Sequence, residues 1–404
     1  MNKIHTRCLY RTKTLLGFLI IGLIIGNVLS CSRRPSSNLP DNQNTKEEEP
    51  YKVLWQFTAK EEFTSTPVIS ESKVIFVGNS GGVVSNTVYA VDQKTGSLVW
   101  EHKLDTRPSE YIAESQGFVF VGCDEKLIAL DAKTGNTMWE FSDNPEEWHY
   151  YSYPVTWNHL VIIYKKNPLH VENKDCIFVL DAITGAVKWE KRIDGLLQNS
   201  LPVIANGLLY YSIHAMRWIG QIVAVDILTG QEKWHYQAST IWLDQPVVNE
   251  QIVCFQPEGN ELIALDALTG QEKWQFTPDK GHSFNKYNPS IANDMVYIAY
   301  SDNPNGSYLY GIDILTGKGK WCSLFHYAGF NAASAVYQGR VYISSCRGNE
   351  KSVFAFEGLT GKAVWEFLSL ESVYNISVNQ SILYINTQKD KNGGVLIALQ
   401  DLSK

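Results

Sequence analysis

From Tyr51 onward the chain alternates apolar and polar positions in short runs, and each run stops at a cluster of Gly, Asn, Asp or Ser. Period-two alternation bounded by turn residues predicts half-buried β-strands. One stretch, from Leu262 to Trp274 (LIALDALTGQEKW), recurs along the chain and reduces to Ala-x-Asp-x-x-Thr-Gly-x-x-x-Trp. It predicts a β-hairpin: the apolar run ends at a polar turn, the Gly takes a positive φ, and a second strand carries the Trp.

The copies are Asp92-Thr95-Gly96-Trp100, Asp131-Thr134-Gly135-Trp139, Asp181-Thr184-Gly185-Trp189, Asp226-Thr229-Gly230-Trp234, Asp266-Thr269-Gly270-Trp274 and Asp313-Thr316-Gly317-Trp321, with a variant Glu357-Thr360-Gly361-Trp365. Successive glycines lie 39 to 50 residues apart, the length of a four-stranded propeller blade. Around the first copy the alternation marks strands at 64–70, 73–78, 87–92 and 98–104, and the same order recurs at 108–142, 152–193, 199–238, 240–280, 287–327 and 331–370. The last stretch supplies three strands and ends. Residues 51–57 (YKVLWQF) have the look of a fourth strand without its turn. The expected fold is therefore all-β, an eight-bladed propeller over 51–404 closed by pairing the N-terminal strand with the C-terminal three.

Eight of the twelve Trp, namely Trp55 and the seven of the copies, fall on the outermost strand of a blade, where a ring can pack against the next blade. The turn Asp and Thr are expected to bond backbone N–H groups. A set repeated in nearly every blade is structural, since catalysis needs a unique constellation.

The segment before the repeats changes the picture from a soluble domain to an exported one. Lys3, Arg7, Arg11 and Lys13 precede an apolar run at 15–29, which reads as a signal peptide over 1–30. The sequence Val28-Leu29-Ser30-Cys31 resembles a lipobox, which implies lipidation of Cys31 followed by a flexible polar linker over 31–50. Losing residues 1–30 leaves 31 basic against 42 acidic side chains, a balance of about −11 that argues against nucleic acid as a partner. Cys123, Cys176, Cys254, Cys322 and Cys346 lie in or beside strands without metal spacing, so buried packing is expected, with an inter-blade disulfide left open.

Strand alternation assigns every loop to one of two faces. The Asp-x-x-Thr-Gly turns and short hairpins share a uniform face, which reads as structural. The opposite face takes the irregular sequence, and its aromatic and His residues form the candidate partner or ligand rim: Trp148, His149, Tyr150, Trp218, Trp242, His282, Phe284, His326 and Phe330. No H-x-H or H-E-x-x-H spacing marks a metal site, and no catalytic residue is assigned.

The repeat resembles the PQQ-type (pyrroloquinoline quinone) propeller repeat, shared by eight-bladed quinoprotein dehydrogenases and by outer-membrane assembly lipoproteins of the BamB type. The dehydrogenases carry adjacent cysteines over the quinone, and this chain has no Cys-Cys pair, so neither PQQ nor calcium is expected unless that reading holds. Resemblance to the lipoproteins implies a non-catalytic, protein-binding scaffold, lipid-anchored at the outer membrane and facing the periplasm, whose partner is an envelope protein such as an outer-membrane assembly barrel. A quinoprotein dehydrogenase and a ligand-sensing envelope propeller are the alternatives. In the lipoproteins a Leu-Ser-Leu-Arg-Gly type segment binds the partner; the nearest stretch here offers Leu196 and Leu197 without an Arg, and no contact residues carry over.

Overall fold

The computed structural model describes residues 49–403 except 64, 80–85, 145–149, 167–174, 198–200, 216–218, 241, 242, 244, 280–287, 303–305, 326–333, 348, 349, 370 and 390–392. The signal peptide, Cys31 and nearly all of the linker thus lie outside the described residues. Within them the chain forms eight antiparallel sheets in sequence order and no helix. A typical blade, the fifth, runs Val247–Val248, Ile252–Phe255, Leu262–Asp266 and Glu272–Phe276 from the inside outward. The first strands of neighbouring blades approach one another, which places them around the axis.

The inner strands of the first and fourth blades depart from the expected boundaries in ways that hydrogen bonds explain. In the first blade the inner strand is split into Glu62–Phe63 and Val68–Ser70, and the Ser65 hydroxyl accepts the Val77 N–H at 2.8 Å where the ladder is interrupted. The fourth blade begins at Gly195–Leu197, ahead of the expected 199, because the buried Asp175 carboxylate of the preceding blade accepts the Leu197 N–H at 2.8 Å. Leu197 is thereby packed in the core between the third and fourth blades.

The eighth sheet consists of Ser372–Asn379, Ile382–Lys389, Gly393–Asp401 and, as its outermost strand, Tyr51–Thr58 from the other end of the chain. Tyr51 pairs with Asp401 and Thr58 with Val395.

The core is divided among the seams. Eight buried clusters are present, and each joins two neighbouring blades, including the eighth with the first through Trp55, Phe63, Phe76 and Leu396. Strands buried on both faces, such as Lys73–Asn79, follow from this arrangement.

A detail absent from the sequence reading lets the Trp reach its seam. In every outermost strand the register slips by one residue just before the Trp, so that Trp234 pairs with Ala224 and Glu232 with Val225 while Lys233 bulges out. A bulge re-aims the side chain that follows it. The indole then points at the next blade and donates to the carbonyl of the residue after that blade's turn carboxylate: Trp55 to Gln93 (2.9 Å), Trp100 to Ala132 (3.1 Å), Trp234 to Ala267 (3.1 Å), Trp274 to Ile314 (2.9 Å) and Trp321 to Gly358 (2.9 Å). Trp139 and Trp189 dock the same way on Ala182 and Ile227.

The turn Gly serves this contact as well as its own backbone. Gly270 has φ +72°, and a Cβ there would fall 2.6 Å from the Trp234 ring. Beside it, Asp266 Oδ1 accepts from the N–H groups of Leu268 and Thr269 and from the Thr269 hydroxyl. The same three bonds recur at Asp92, Asp131, Asp181, Asp226 and Asp313. The Asp, Thr, Gly and Trp of the motif are thus accounted for by turn or seam.

Candidate functional site

Most of the residues expected at the irregular rim, Trp148, His149, Trp218, Trp242, His282, Phe284, His326 and Phe330, lie outside the described residues; Tyr150 opens the strand Tyr150–Trp157, and its side chain is also outside them. The described edges of the same face show what the rim is built on. In the third blade Lys165 reaches Asp143 at 2.5 Å, and the buried Tyr151 hydroxyl donates to the same carboxylate. Burial, reinforced by that hydrogen bond, raises the Tyr151 pKa.

Next in sequence, Lys166 is pulled down to about 8 by burial, with Asp175 acting the other way. An ammonium shifted this far carries a charge that changes near neutral pH. Further round the face, Tyr89 donates to Glu61 at 2.6 Å and Tyr310 to Asp279 at 2.7 Å. In the seam between the fifth and sixth blades the Gln256 amide and the Tyr300 hydroxyl are buried beside each other. This rim therefore combines tethered carboxylates with buried neutral polar groups. The sequence carried one signal of the Lys165 network, a Lys-Lys pair closing an otherwise apolar strand.

The turn face holds a concavity that the sequence reading did not anticipate. A groove of about 390 Å³ runs between Leu228 and Leu268 over Asn206, Gly207 and Asp226, with Trp157 at its lining. Trp157 is the one Trp outside both the blade pattern and the candidate rim, and it belongs to this face.

The thiols have packing roles. Cys123, Cys176 and Cys254 are free and buried, and burial lifts the first two to about 12 and 11. Such thiols stay protonated and are poor nucleophiles or metal ligands at neutral pH. Cys322 is buried and disulfide-bonded.

A quinone held with calcium would need clustered carboxylate and carbonyl oxygens. Among the described residues no group of three His, Cys, Asp or Glu side chains converges.

The profile of the PQQ-repeat family described as "Outer membrane protein assembly factor BamB" matches residues 47–195, 155–241 and 177–401. Among solved structures, BamB from Moraxella catarrhalis superimposes with a TM-score of 0.62 at 16% identity, covering 87% of this chain and 97% of that one. The quinohemoprotein alcohol dehydrogenase from Comamonas testosteroni gives a TM-score of 0.66 at 15% identity, covering 88% of this chain and 77% of that one. The computationally designed Ika8 protein gives 0.64 at 15% identity, covering 84% and 97%. No curated protein sequence matches the chain.

Proposed function

The chain belongs to the PQQ-repeat family described as outer membrane protein assembly factor BamB, and from that premise we propose that it is a lipid-anchored, non-catalytic scaffold of the bacterial envelope that binds a protein partner in outer-membrane protein assembly. The observation that carries this reading is the family match, which spans the propeller from its first strand to its last. The likeness to alcohol dehydrogenases concerns the fold, and a designed protein shares that fold to the same degree. The use of the repeated Asp, Thr, Gly and Trp in turns and seams agrees with a scaffold role. We assign partner binding to the irregular rim, where aromatic residues gather in sequence.

The test is crosslinking in the native cells followed by mass spectrometry of what co-purifies with the tagged, membrane-extracted protein. Recovery of an outer-membrane assembly barrel is expected, and its loss when Trp148, Trp218 and Trp242 are changed to Ala places the contact on the rim. Saturable binding of the quinone with calcium, and no assembly protein among the crosslinks, would overturn the scaffold reading.

A further inference from the structure

The turn face carries an aliphatic arc that its structural role does not require. Two residues after the turn carboxylate, blades three to seven have Ile183, Leu228, Leu268, Leu315 and Leu359, between 53% and 71% exposed. Blades one and two have Lys94 and Lys133 at that place. The bulged position before the Trp varies in the opposite sense, with Val99 and Met138 in blades one and two and Lys188, Lys233, Lys273 and Lys320 in blades three to six.

Those four lysines turn back to their own turn carboxylates, Asp181, Asp226, Asp266 and Asp313, at 3.0, 3.4, 3.3 and 3.0 Å. Their charge is therefore paired beside the aliphatic tips of blades three to six. In the eighth blade Leu402, 44% exposed, follows Asp401 on the same face. Single exposed leucines are ordinary, whereas a tip in each of six consecutive blades is a patch.

Two features identify what covers it. The tips occupy equivalent places in successive blades of a ring, so they lie near one plane and suit a flat occupant. The chain also leaves the propeller on this face: Tyr51 pairs with Asp401, and the Leu402 N–H donates to the Pro50 carbonyl at 2.8 Å, at the end of the arc that Leu402 marks. Seventeen residues lie between Cys31 and Glu49, and a polar chain of that length has a reach of roughly 20–25 Å.

We propose that the turn face is the membrane-facing side of the propeller, with Ile183, Leu228, Leu268, Leu315, Leu359 and Leu402 resting in the interfacial region of the bilayer. This rests on the lipid-anchor part of the proposed function. It leaves the opposite, irregular rim turned away from the membrane and open to a protein partner. In blades three to six the lysine beside each tip is already paired with its turn carboxylate, so those tips enter the headgroup boundary without adding a free ammonium from that position.

The test uses the full chain, extracted from membranes and reconstituted in vesicles of phosphatidylethanolamine and phosphatidylglycerol. An environment-sensitive fluorophore is attached at Leu268→Cys or Leu315→Cys on the turn face and at Glu258→Cys, exposed on the opposite face; the unsubstituted chain gives the labelling background. Brominated lipids are expected to quench the turn-face labels at least twofold and to leave the Glu258→Cys label unaffected. A chain that stays on the vesicles with its turn-face labels unquenched, or quenched no more than the Glu258→Cys label, overturns this inference alone. A chain that does not stay on the vesicles overturns the anchor reading and this inference with it.

Discussion

At the seam between the fourth and fifth blades, Trp234 donates to the Ala267 carbonyl and its ring covers Gly270. At the seam between the seventh and eighth blades Trp365 has no Asp-x-x-Thr-Gly turn to land on, because the two outer strands of the eighth blade, Gly393–Asp401 and Tyr51–Thr58, come from different parts of the chain. Its indole donates at 3.1 Å to the Asp401 carboxylate, which also accepts from the Tyr342 hydroxyl (2.7 Å) and from Ser403. Tyr51, from the N-terminal strand, packs its ring 5.2 Å from Trp365. The two seams share an acceptor at one place and differ in what supplies it. The seam is thus defined by where the indole must donate, and a side chain near the C-terminus stands in for a backbone turn.

The largest effect that tests this comparison is removal of the ring itself. Trp234→Ala deletes an indole that is 9% exposed and should cost about 3–5 kcal/mol, read as a fall in the urea midpoint. Trp365→Ala should cost a similar amount if the closing seam is as well packed as the regular one. A cost below about 1 kcal/mol would show that the closure is held by strand pairing alone.

Gly270→Ala comes next. It combines a left-handed backbone with a Cβ 2.6 Å from the Trp234 ring, and should cost about 3 kcal/mol. Gly207 has nearly the same φ, +70°, with nothing within 4 Å of its Cβ position, so Gly207→Ala should cost only about 1 kcal/mol. Equal costs at the two sites would mean that the ring contact contributes nothing beyond backbone strain.

How much of this was legible in the sequence depends on the range of the interaction. The Asp, Thr, Gly and Trp spacing is local, so the turns, the strands and the blade count could be read directly. The bulge before each Trp was hidden, since a strand with one extra residue still looks like a strand. Asp401 carried no signal either: it matters only because folding brings residue 401 beside residues 342 and 365. The Leu and Lys exchange between positions 268 and 273, against 94 and 99, was present in the repeats. Its meaning depends on the exposure of those positions side by side on one face, which only the folded ring sets.

Asp401→Ala leaves the Trp365 and Tyr342 donors without their acceptor and should cost about 2 kcal/mol. Asp401→Asn keeps an acceptor oxygen and should lose about half as much. If both variants match the parent in thermal unfolding, the carboxylate is not what closes the seam.

The smallest effect refines the regular seams. In the seventh blade the turn carboxylate is Glu357, whose longer side chain bonds the Thr360 hydroxyl at 2.5 Å in place of the three-bond set made by each turn Asp. Glu357→Asp should restore bonds to the N–H groups of Leu359 and Thr360 and stabilise the chain by about 0.5 kcal/mol, a modest gain at an exposed turn. The same bonds predict an acid response. Lys188 and the Thr184 N–H hold Asp181 down at about 2, and Thr316 and Lys320 do the same for Asp313. A carboxylate depressed in the folded state contributes stability above its unfolded pKa of about 4, and that contribution is lost as pH falls toward about 2. Glu357→Asp should therefore gain more at pH 6 than at pH 2.5; a gain of equal size at both values would place its origin in packing and not in the carboxylate bonds.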